Sequence, residues 1–459
     1  MDQTHNWQAY ERKVDQAKVD FDQLKTLKEV SLKPKSTTHF FRVRNKKHKL
    51  DLRKFNQVIE VDTVNQIVYV EGCTRFFDLA HETLKFGLLP PVVPELRNIT
   101  IGGTVSGLGV EASSFKYGMV HNTILEYQVL TGEGEVVTCN TDTNSDLFYA
   151  LPNSLGTIGY VLSCKVKLVP AKPFIRLKCT TFDNPQSYFD QLATKCAAGT
   201  ADFIEGYLDQ PEKLKLVEGY FVDHFNPAKA YDWRQAAFWK FLQASPDGEY
   251  YLNIEDYLWR WDRDTYWTLN NFGVVSKLIN NPIFRKIFGN LTLRSDVWVM
   301  LNTRTQTLRN SRFYKKLTHN DKTENILQDF LLDVFKGKAY LAWHNQHINV
   351  YPMWICPIKN DYAGNYPMHK LAGEYLIDIG IYTGKEKAPE VPEGYYNGLL
   401  DQEIINLNGF KGLYSTTNVT ESEFWSKFDK DNYSKAKIKY DPNKTFPDVF
   451  RKAVGTNTL

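Results

Sequence analysis

Pro94-Glu95-Leu96-Arg97-Asn98-Ile99-Thr100-Ile101-Gly102-Gly103-Thr104-Val105-Ser106-Gly107-Leu108-Gly109-Val110-Glu111-Ala112-Ser113-Ser114-Phe115-Lys116-Tyr117-Gly118 is the stretch that decides the fold. Gly102, Gly103, Gly107 and Gly109 fall within eight residues, after an apolar strand. A turn needs one glycine; four mark a backbone that something bulky approaches closely. Ser113, Ser114 and Lys116 follow as donors to an anion. The expected guest is a phosphate-bearing cofactor, held by main-chain N–H groups in a concave nest. The plainer reading is a glycine-rich turn with no ligand.

The spacing departs from the nicotinamide fingerprint, a strand followed by Gly-x-Gly-x-x-Gly opening a helix with an acid about 20 residues on. Here Gly-Gly-x-x-x-Gly-x-Gly runs into more loop-like sequence. The stretch resembles the flavin-binding loop of the vanillyl-alcohol-oxidase-like FAD enzymes. Farther on, Asn144-Ser145-Asp146-Leu147-Phe148-Tyr149-Ala150 leads into Gly156-Thr157-Ile158-Gly159-Tyr160-Val161. That resembles the second flavin signature of the same superfamily, where a Gly-x-x-Gly turn opens a strand beside the cofactor.

Within this superfamily the chain most resembles the Δ24-sterol reductases (the Diminuto/seladin family). Leu89-Pro90 through Pro94-Glu95-Leu96, then Glu111, Ser113, Ser114, Lys116, Tyr117 and Gly118, follow that family's pattern. So do Phe203-Ile204-Glu205-Gly206, Asn280-Asn281-Pro282-Ile283-Phe284-Arg285 and Val350-Tyr351-Pro352-Met353-Trp354-Ile355-Cys356-Pro357. Tyr375-Leu376-Ile377-Asp378-Ile379-Gly380 and Glu423-Phe424-Trp425 continue it, so the matches run in order from Val58 to Val449.

The resemblance implies an α+β, two-domain FAD-binding fold of the PCMH or vanillyl-alcohol-oxidase type. Its flavin domain has two α/β subdomains, and its substrate domain has an antiparallel sheet covered by helices. The expected division is 1–172 for the FAD-binding domain with an N-terminal helix and 173–400 for the substrate domain. Residues 401–459 form a C-terminal segment that closes the site and packs back on the flavin domain. The expected FAD contacts are Thr100, Ile101, Gly102, Gly103, Thr104, Val105, Ser106, Gly107, Leu108, Gly109, Val110, Ser113, Ser114 and Gly118, with Gly156, Thr157, Gly159 and Val161 near the ring. No histidine or cysteine lies in the glycine stretch to tether a flavin, so the FAD is expected to be non-covalent. The resemblance implies NADPH as electron donor, although no separate nicotinamide motif is present.

Two features depart from the family's pattern. Its members begin with a membrane-spanning segment, which needs about 20 mainly apolar residues; charges interrupt every candidate here, and residues 1 to 29 show no signal-peptide pattern. The superfamily also carries an earlier glycine-bearing phosphate loop, whereas the first glycine here is Gly72. Ser31-Leu32-Lys33-Pro34-Lys35-Ser36-Thr37-Thr38-His39 stands in that place. Its lysines and hydroxyls either grip the pyrophosphate from side chains or mark a degenerate loop.

Composition fits a soluble two-domain enzyme. At 459 residues the chain exceeds the roughly 250–300 that one core supports. A net charge of +3 gives no argument for nucleic acid. Arg42 to Lys49 is the one dense cationic run: a solvated strand end, or a contact with an anionic membrane face or cofactor phosphate. The cysteines at 73, 139, 164, 179, 196 and 356 show no Cys-x-x-Cys spacing and read as reduced thiols of a cytosolic protein. The histidines give no metal-binding pair on a helix, and His344 and His347 are placed at the start of a strand. The oligomeric state is not legible.

Periodicity places a helix over 6 to 29 and another over Phe76 to Lys85, closed by Gly87. Hairpins are expected at Val58–Val61 with Ile67–Val70, at Thr123–Thr131 with Glu135–Cys139, and at Phe203–Tyr207 with Leu216–Val222. Val161–Val169 is an expected strand before the domain boundary at Pro170–Pro173. Eight of the ten tryptophans lie between Trp233 and Trp354. They imply a large apolar cavity, a lipid-facing surface or an aromatic-rich core. Asn281-Pro282 opens a short apolar and basic helix that either packs on its own domain or dips into a membrane surface.

Strand alternation puts Glu205, Tyr207, Glu218, Tyr351, Asp378 and Tyr382 on one substrate-facing wall. The chemistry implied by the resemblance is reduction of an isolated alkene in a sterol side chain, a small lipid substrate. Such an alkene needs a proton donor, and a buried carboxyl suits that task. Glu205 or Asp378, with Tyr207 or Tyr414 nearby, are the candidates. Two other readings remain open: a flavin oxidase or dehydrogenase of an alcohol or sugar, and a flavin-free binding protein that kept the fold.

Overall fold

The protein is described from a computed structural model, which covers residues 3–27, 29–33, 48–268, 273–298, 323–360, 366–415 and 417–454. Two antiparallel sheets organise it. The smaller is built from β1 (Val58–Asp62), β2 (Ile67–Glu71), β3 (Ile124–Thr131), β4 (Val136–Asn140) and β5 (Gly159–Lys167), in the order β1-β2-β5-β3-β4. The β1–β2 turn forms because the Asp62 carboxylate accepts from the N–H groups of Val64 and Asn65 at 3.0 and 2.9 Å. The N-terminal helix, Gln3–Asp22, stops short of the expected 29 because residues 23–27 turn. Its apolar face lays Tyr10, Ala17 and Phe21 on this sheet.

The larger sheet contains β6 (Phe174–Phe182), β7 (Phe203–Gln210), β8 (Lys213–Val222), β9 (Gly248–Asn253), β10 (Thr323–Asp333), β11 (Met353–Lys359), β12 (Tyr375–Glu386) and β13 (Phe410–Lys411). Their order is β9-β6-β8-β7-β11-β12-β10-β13. The alternation in β12 has the expected consequence. Ile377, Ile379 and Ile381 face the helices Pro185–Ala198, Gly337–His347 and Tyr395–Asn406, packing with Leu192, Leu341 and Leu400. Asp378 and Tyr382, with Gly380 between them, face the other way, toward the glycine-rich segment.

Two residues expected on that wall lie elsewhere. Glu218 is opposite Ile204 in the β7–β8 ladder, so it shares the helix-covered face and pairs with Lys195 at 3.3 Å. Tyr351 precedes β11 and packs on His344 beneath the helix Gly337–His347. His344 and His347 themselves end that helix; the strand begins only at Met353. The Tyr-Pro pair that suggested a strand start is the connection between the two. Among the described residues no group of side chains is arranged to hold a metal ion, and the six cysteines are free thiols.

The helix Tyr395–Asn406 runs across the expected boundary at 400, and β13 joins the large sheet edge. The remaining C-terminal residues return to the smaller sheet's domain. Tyr433 Oη meets Thr157 Oγ1 at 2.6 Å, and Tyr440 Oη donates to Asp146 at 2.8 Å.

Candidate active site

A cavity of about 260 Å³ lies where the glycine stretch meets the polar face of the large sheet. Ligand pockets commonly measure roughly 300–1,000 Å³, so this one suits a ring system with a small partner and not a whole dinucleotide. One wall is Thr100, Gly103, Thr104, Gly107, Leu108, Gly109 and Val110, with Pro94, Glu95 and Leu96 beside them. The other is Leu327, Asp329, Leu331, Trp354, Asp378, Tyr382 and Tyr414, with Thr265, Tyr266 and Thr268 at one side.

The glycine stretch is a short helix, Ile101–Gly107, and not the expected loop. Glycine costs about 1 kcal/mol per residue in a helix, and local and tertiary bonds offset this. Thr100 caps the first turn by accepting from Gly103 N, and the Thr104 and Ser106 hydroxyls donate to carbonyls one turn back at 2.6 and 2.9 Å. Gly102 N donates to Gly72 O at 2.8 Å, a contact so close that any Cβ at 102 would stand 2.8 Å from that oxygen. The glycines therefore divide. Gly102 serves packing, whereas Gly103 and Gly107, one turn apart, line the cavity, Gly103 with the Thr100 hydroxyl 2.8 Å from where its Cβ would stand. A Cβ at Gly107 would meet nothing within 4 Å. A bare backbone facing a cavity is the cradle a flavin needs, so these residues fit the group.

The remaining expected FAD contacts do not reach the cavity wall. Ile101, Gly102 and Val105 point into the core. Ser114 Oγ accepts from Glu111 N at 3.0 Å; Ser113 is buried, and Gly118 packs on Asn122. Gly156, Thr157, Gly159 and Val161 lie behind the glycine helix, because Asn153 N and Leu155 N donate to the carbonyls of Val105 and Ser106. Lys33 pairs with the Asp51 carboxylate at 3.4 Å. Lys35, Ser36 and most of the 42–49 basic run lie outside the described residues.

Of the four candidate acids and tyrosines, the cavity wall carries two. Asp378 is 2% exposed, and its Oδ1 has no hydrogen-bond partner among the described residues. Burial, reinforced by the charge of Asp329, holds this carboxyl well above the usual range, which favours its protonated form. The ladder places Asp329 opposite Gly380 and Asp378 opposite Leu331, which makes the two carboxyls diagonal neighbours on one face. Burial pushes Asp329 up to about 6, against the hydrogen bonds it accepts from Tyr382 and Tyr414. Gly380 leaves the room: a Cβ there would stand 2.6 Å from Tyr382 Oη.

Glu205 and Tyr207 share the sheet face but not the cavity. Glu205 accepts from Arg260 Nε at 2.8 Å, Trp261 Nε1 at 2.8 Å and Trp354 Nε1 at 2.9 Å. A carboxylate that receives three N–H groups acts as an acceptor, which is the opposite of the expected donor role. Tyr207 donates to Asp209 at 3.4 Å and sits among Trp261 and Trp267. Most of the described tryptophans of this segment pack in an aromatic core, and among its described aromatic residues between Trp233 and Trp354, Tyr266 and Trp354 line the cavity.

Glu95 and Asp329 were not anticipated. Glu95 is buried, and its Oε1 has no partner among the described residues. Burial, with Glu111 beside it, holds it well above the ordinary range. Asp329 had a signal in Leu327-Gln328-Asp329-Phe330-Leu331, where an acid shares the strand face of two leucines.

These features define a flavoprotein with an α+β, two-domain architecture: residues 36–140 match the family model described as "FAD binding domain". Over nearly the whole chain the similarity is to Δ24-sterol reductases. The Homo sapiens protein is 28% identical over 415 residues, covering 89% of this chain and 78% of its own length. The Pisum sativum protein is 25% identical over 448 residues, covering 88% and 76%. Cytokinin dehydrogenase 9 of Oryza sativa subsp. japonica is 34% identical, but over 146 residues and 32% of this chain. That likeness covers too little of the chain to speak for the substrate wall.

Proposed function

We propose that the protein reduces an isolated carbon–carbon double bond in the side chain of a sterol or sterol-like lipid, with FAD bound at Thr100–Val110 and NADPH as electron donor. The family-long similarity supports the substrate class, and the free thiols agree with a cytoplasmic enzyme. When bound, the flavin supplies the hydride. The chain supplies the proton. An isolated alkene has no carbonyl to polarise, so a proton must reach one carbon as cationic character grows at the branched neighbour. Asp378 is the residue to carry that proton: its buried Oδ1 has no hydrogen-bond partner among the described residues, and burial beside Asp329 favours the acid form. Asp329 holds Asp378 in its acidic form by its negative charge, and Tyr382 and Tyr414 hold Asp329. The faces of Tyr266 and Trp354 exclude water and favour the cationic carbon.

The single observation that carries this reading is a buried Asp378 whose Oδ1 has no hydrogen-bond partner among the described residues, across the cavity from the bare glycine backbone. Asp378→Asn tests it: flavin reduction by NADPH is expected to stay near wild type while reoxidation by the alkene slows. Rapid-mixing absorbance separates the two half-reactions. A wild-type protein that never passes electrons to any sterol-like alkene would remove the substrate assignment even with flavin present; substrate-dependent oxygen uptake would then point to an oxidase.

A further inference from the structure

The sequence left two roles open for the short helix after Asn281-Pro282, packing or a lipid surface; the structure makes it Pro282–Thr292, the second arm of a helical hairpin whose first arm is Gly273–Ile279. The structure gives the second helix one packed face and one exposed apolar face. Arg285 is fully buried and grips Asp264 with Nη1 at 2.6 Å and Nη2 at 2.9 Å. Its Nε donates to Trp233 O at 2.7 Å, and Gly289, one turn on, packs so tightly that a Cβ would stand 2.7 Å from the Trp233 ring. Among the described residues the other face is exposed. Ile283 is 70% exposed, Ile287 63%, Leu291 70%, Phe288 49% and, from the preceding helix, Leu278 50%. Ile283, Ile287 and Leu291 are spaced by four and form one stripe along the helix.

We infer that this hairpin is the element by which the protein docks on an anionic lipid surface. Two observations select a bilayer. The segment from Gly273 to Thr292 contains no acidic residue, and the exposed Lys277 and Lys286 flank the stripe. An apolar stripe bordered by cations is what an interfacial helix presents to lipid headgroups. The hairpin is also fixed to the cavity. Asp264, which Arg285 holds, directly precedes Thr265, Tyr266 and Thr268 of the cavity wall. Seating the stripe in a bilayer therefore brings that wall to the lipid boundary, where a water-insoluble substrate resides.

Co-sedimentation of the full chain with sterol-free vesicles tests this, using pure phosphatidylcholine and phosphatidylcholine with phosphatidylserine. The wild type should partition to the anionic vesicles. Ile287→Glu with Leu291→Glu should lower partitioning at least about tenfold, since each aliphatic side chain transferred contributes roughly that factor. Ile283→Gln alone gives a milder loss if the double variant misfolds, and unchanged flavin absorbance verifies folding. Lys277→Glu with Lys286→Glu should weaken binding to the anionic vesicles most, and less at high salt. Equal partitioning of the double variant, or a wild type left in the supernatant with both vesicles, overturns the inference. So does a wild-type dimer that the double variant splits, which would make the stripe an interface between copies. Because the vesicles hold no sterol, this result is independent of the alkene reading.

Discussion

Asp378 and Glu205 occupy the same face of the same sheet, on strands separated only by β11, and both are almost wholly buried. They do opposite things. Glu205 is surrounded by an arginine and two indoles that donate to it, so its charge is matched and its oxygens are occupied. Arg260 carries that charge on to Glu111 at 2.5 Å, tying the glycine-rich segment to the large sheet. Asp378 has a neighbouring carboxylate, two tyrosines held by that neighbour, and an open cavity. A buried carboxyl with donors around it holds a structure together; one without them stores a proton. The comparison shows that burial alone does not mark an acid. The identity of the surrounding partners does.

The sharpest tests act on what both carboxyls serve. Gly107→Val places a branched side chain on the open face of the glycine helix, where a Cβ would meet nothing within 4 Å. The protein is expected to lose its flavin, read as loss of visible absorbance; a fully yellow variant would remove this helix from the cofactor site. Next come the carboxyls themselves. Asp378→Asn should slow alkene-dependent reoxidation by ~100-fold or more, a usual worth of general acid catalysis. Glu205→Gln should leave that step near wild type but destabilise the fold by roughly 3 kcal/mol, the lower range for breaking a buried pair. Chemical denaturation measures the latter, and reversed outcomes would exchange the two roles.

A subtler test uses pH. Asp378 must be protonated to act, so the rate persists at low pH and is lost as pH rises through its raised pKa. Asp329, pushed up to about 6, is ionised above that value and raises Asp378 further. Asp329→Asn removes the charge while keeping an acceptor for Tyr382 and Tyr414. The basic limb of the pH–rate profile should therefore move to lower pH. An unmoved limb would uncouple the dyad. The smallest effect is expected at the early basic segment. Lys33 already pairs with Asp51 at the surface, and such pairs contribute under about 1 kcal/mol. Flavin retention across a salt series should barely change in Lys33→Ala; Lys35→Ala added to it tests whether side chains stand in for the missing phosphate loop.

The sequence carried the cofactor through its resemblance to flavin-binding families, and much of the framework through its own patterning. Glycine spacing from 102 to 109 permits a close backbone approach, and strand alternation in 374–382 fixes which side chains share a face. Both are local properties of the chain, so they survive without knowledge of the partners. Even so, the glycine segment became helical, because Gly72 and the Thr100, Thr104 and Ser106 hydroxyls supply bonds that spacing does not reveal.

Only the tertiary structure decided which carboxyl is free. Glu205 and Asp378 look alike along the chain, each in an apolar strand beside a glycine or one residue from it. Arg260 comes from 55 residues beyond Glu205, and Trp354 from 149. The Asp329–Tyr382 bond likewise joins residues 53 apart. A pKa depends on the charges and donors that folding gathers around a group, and those arrive from distant parts of the sequence. Periodicity assigns a residue to a face; it does not say who faces it.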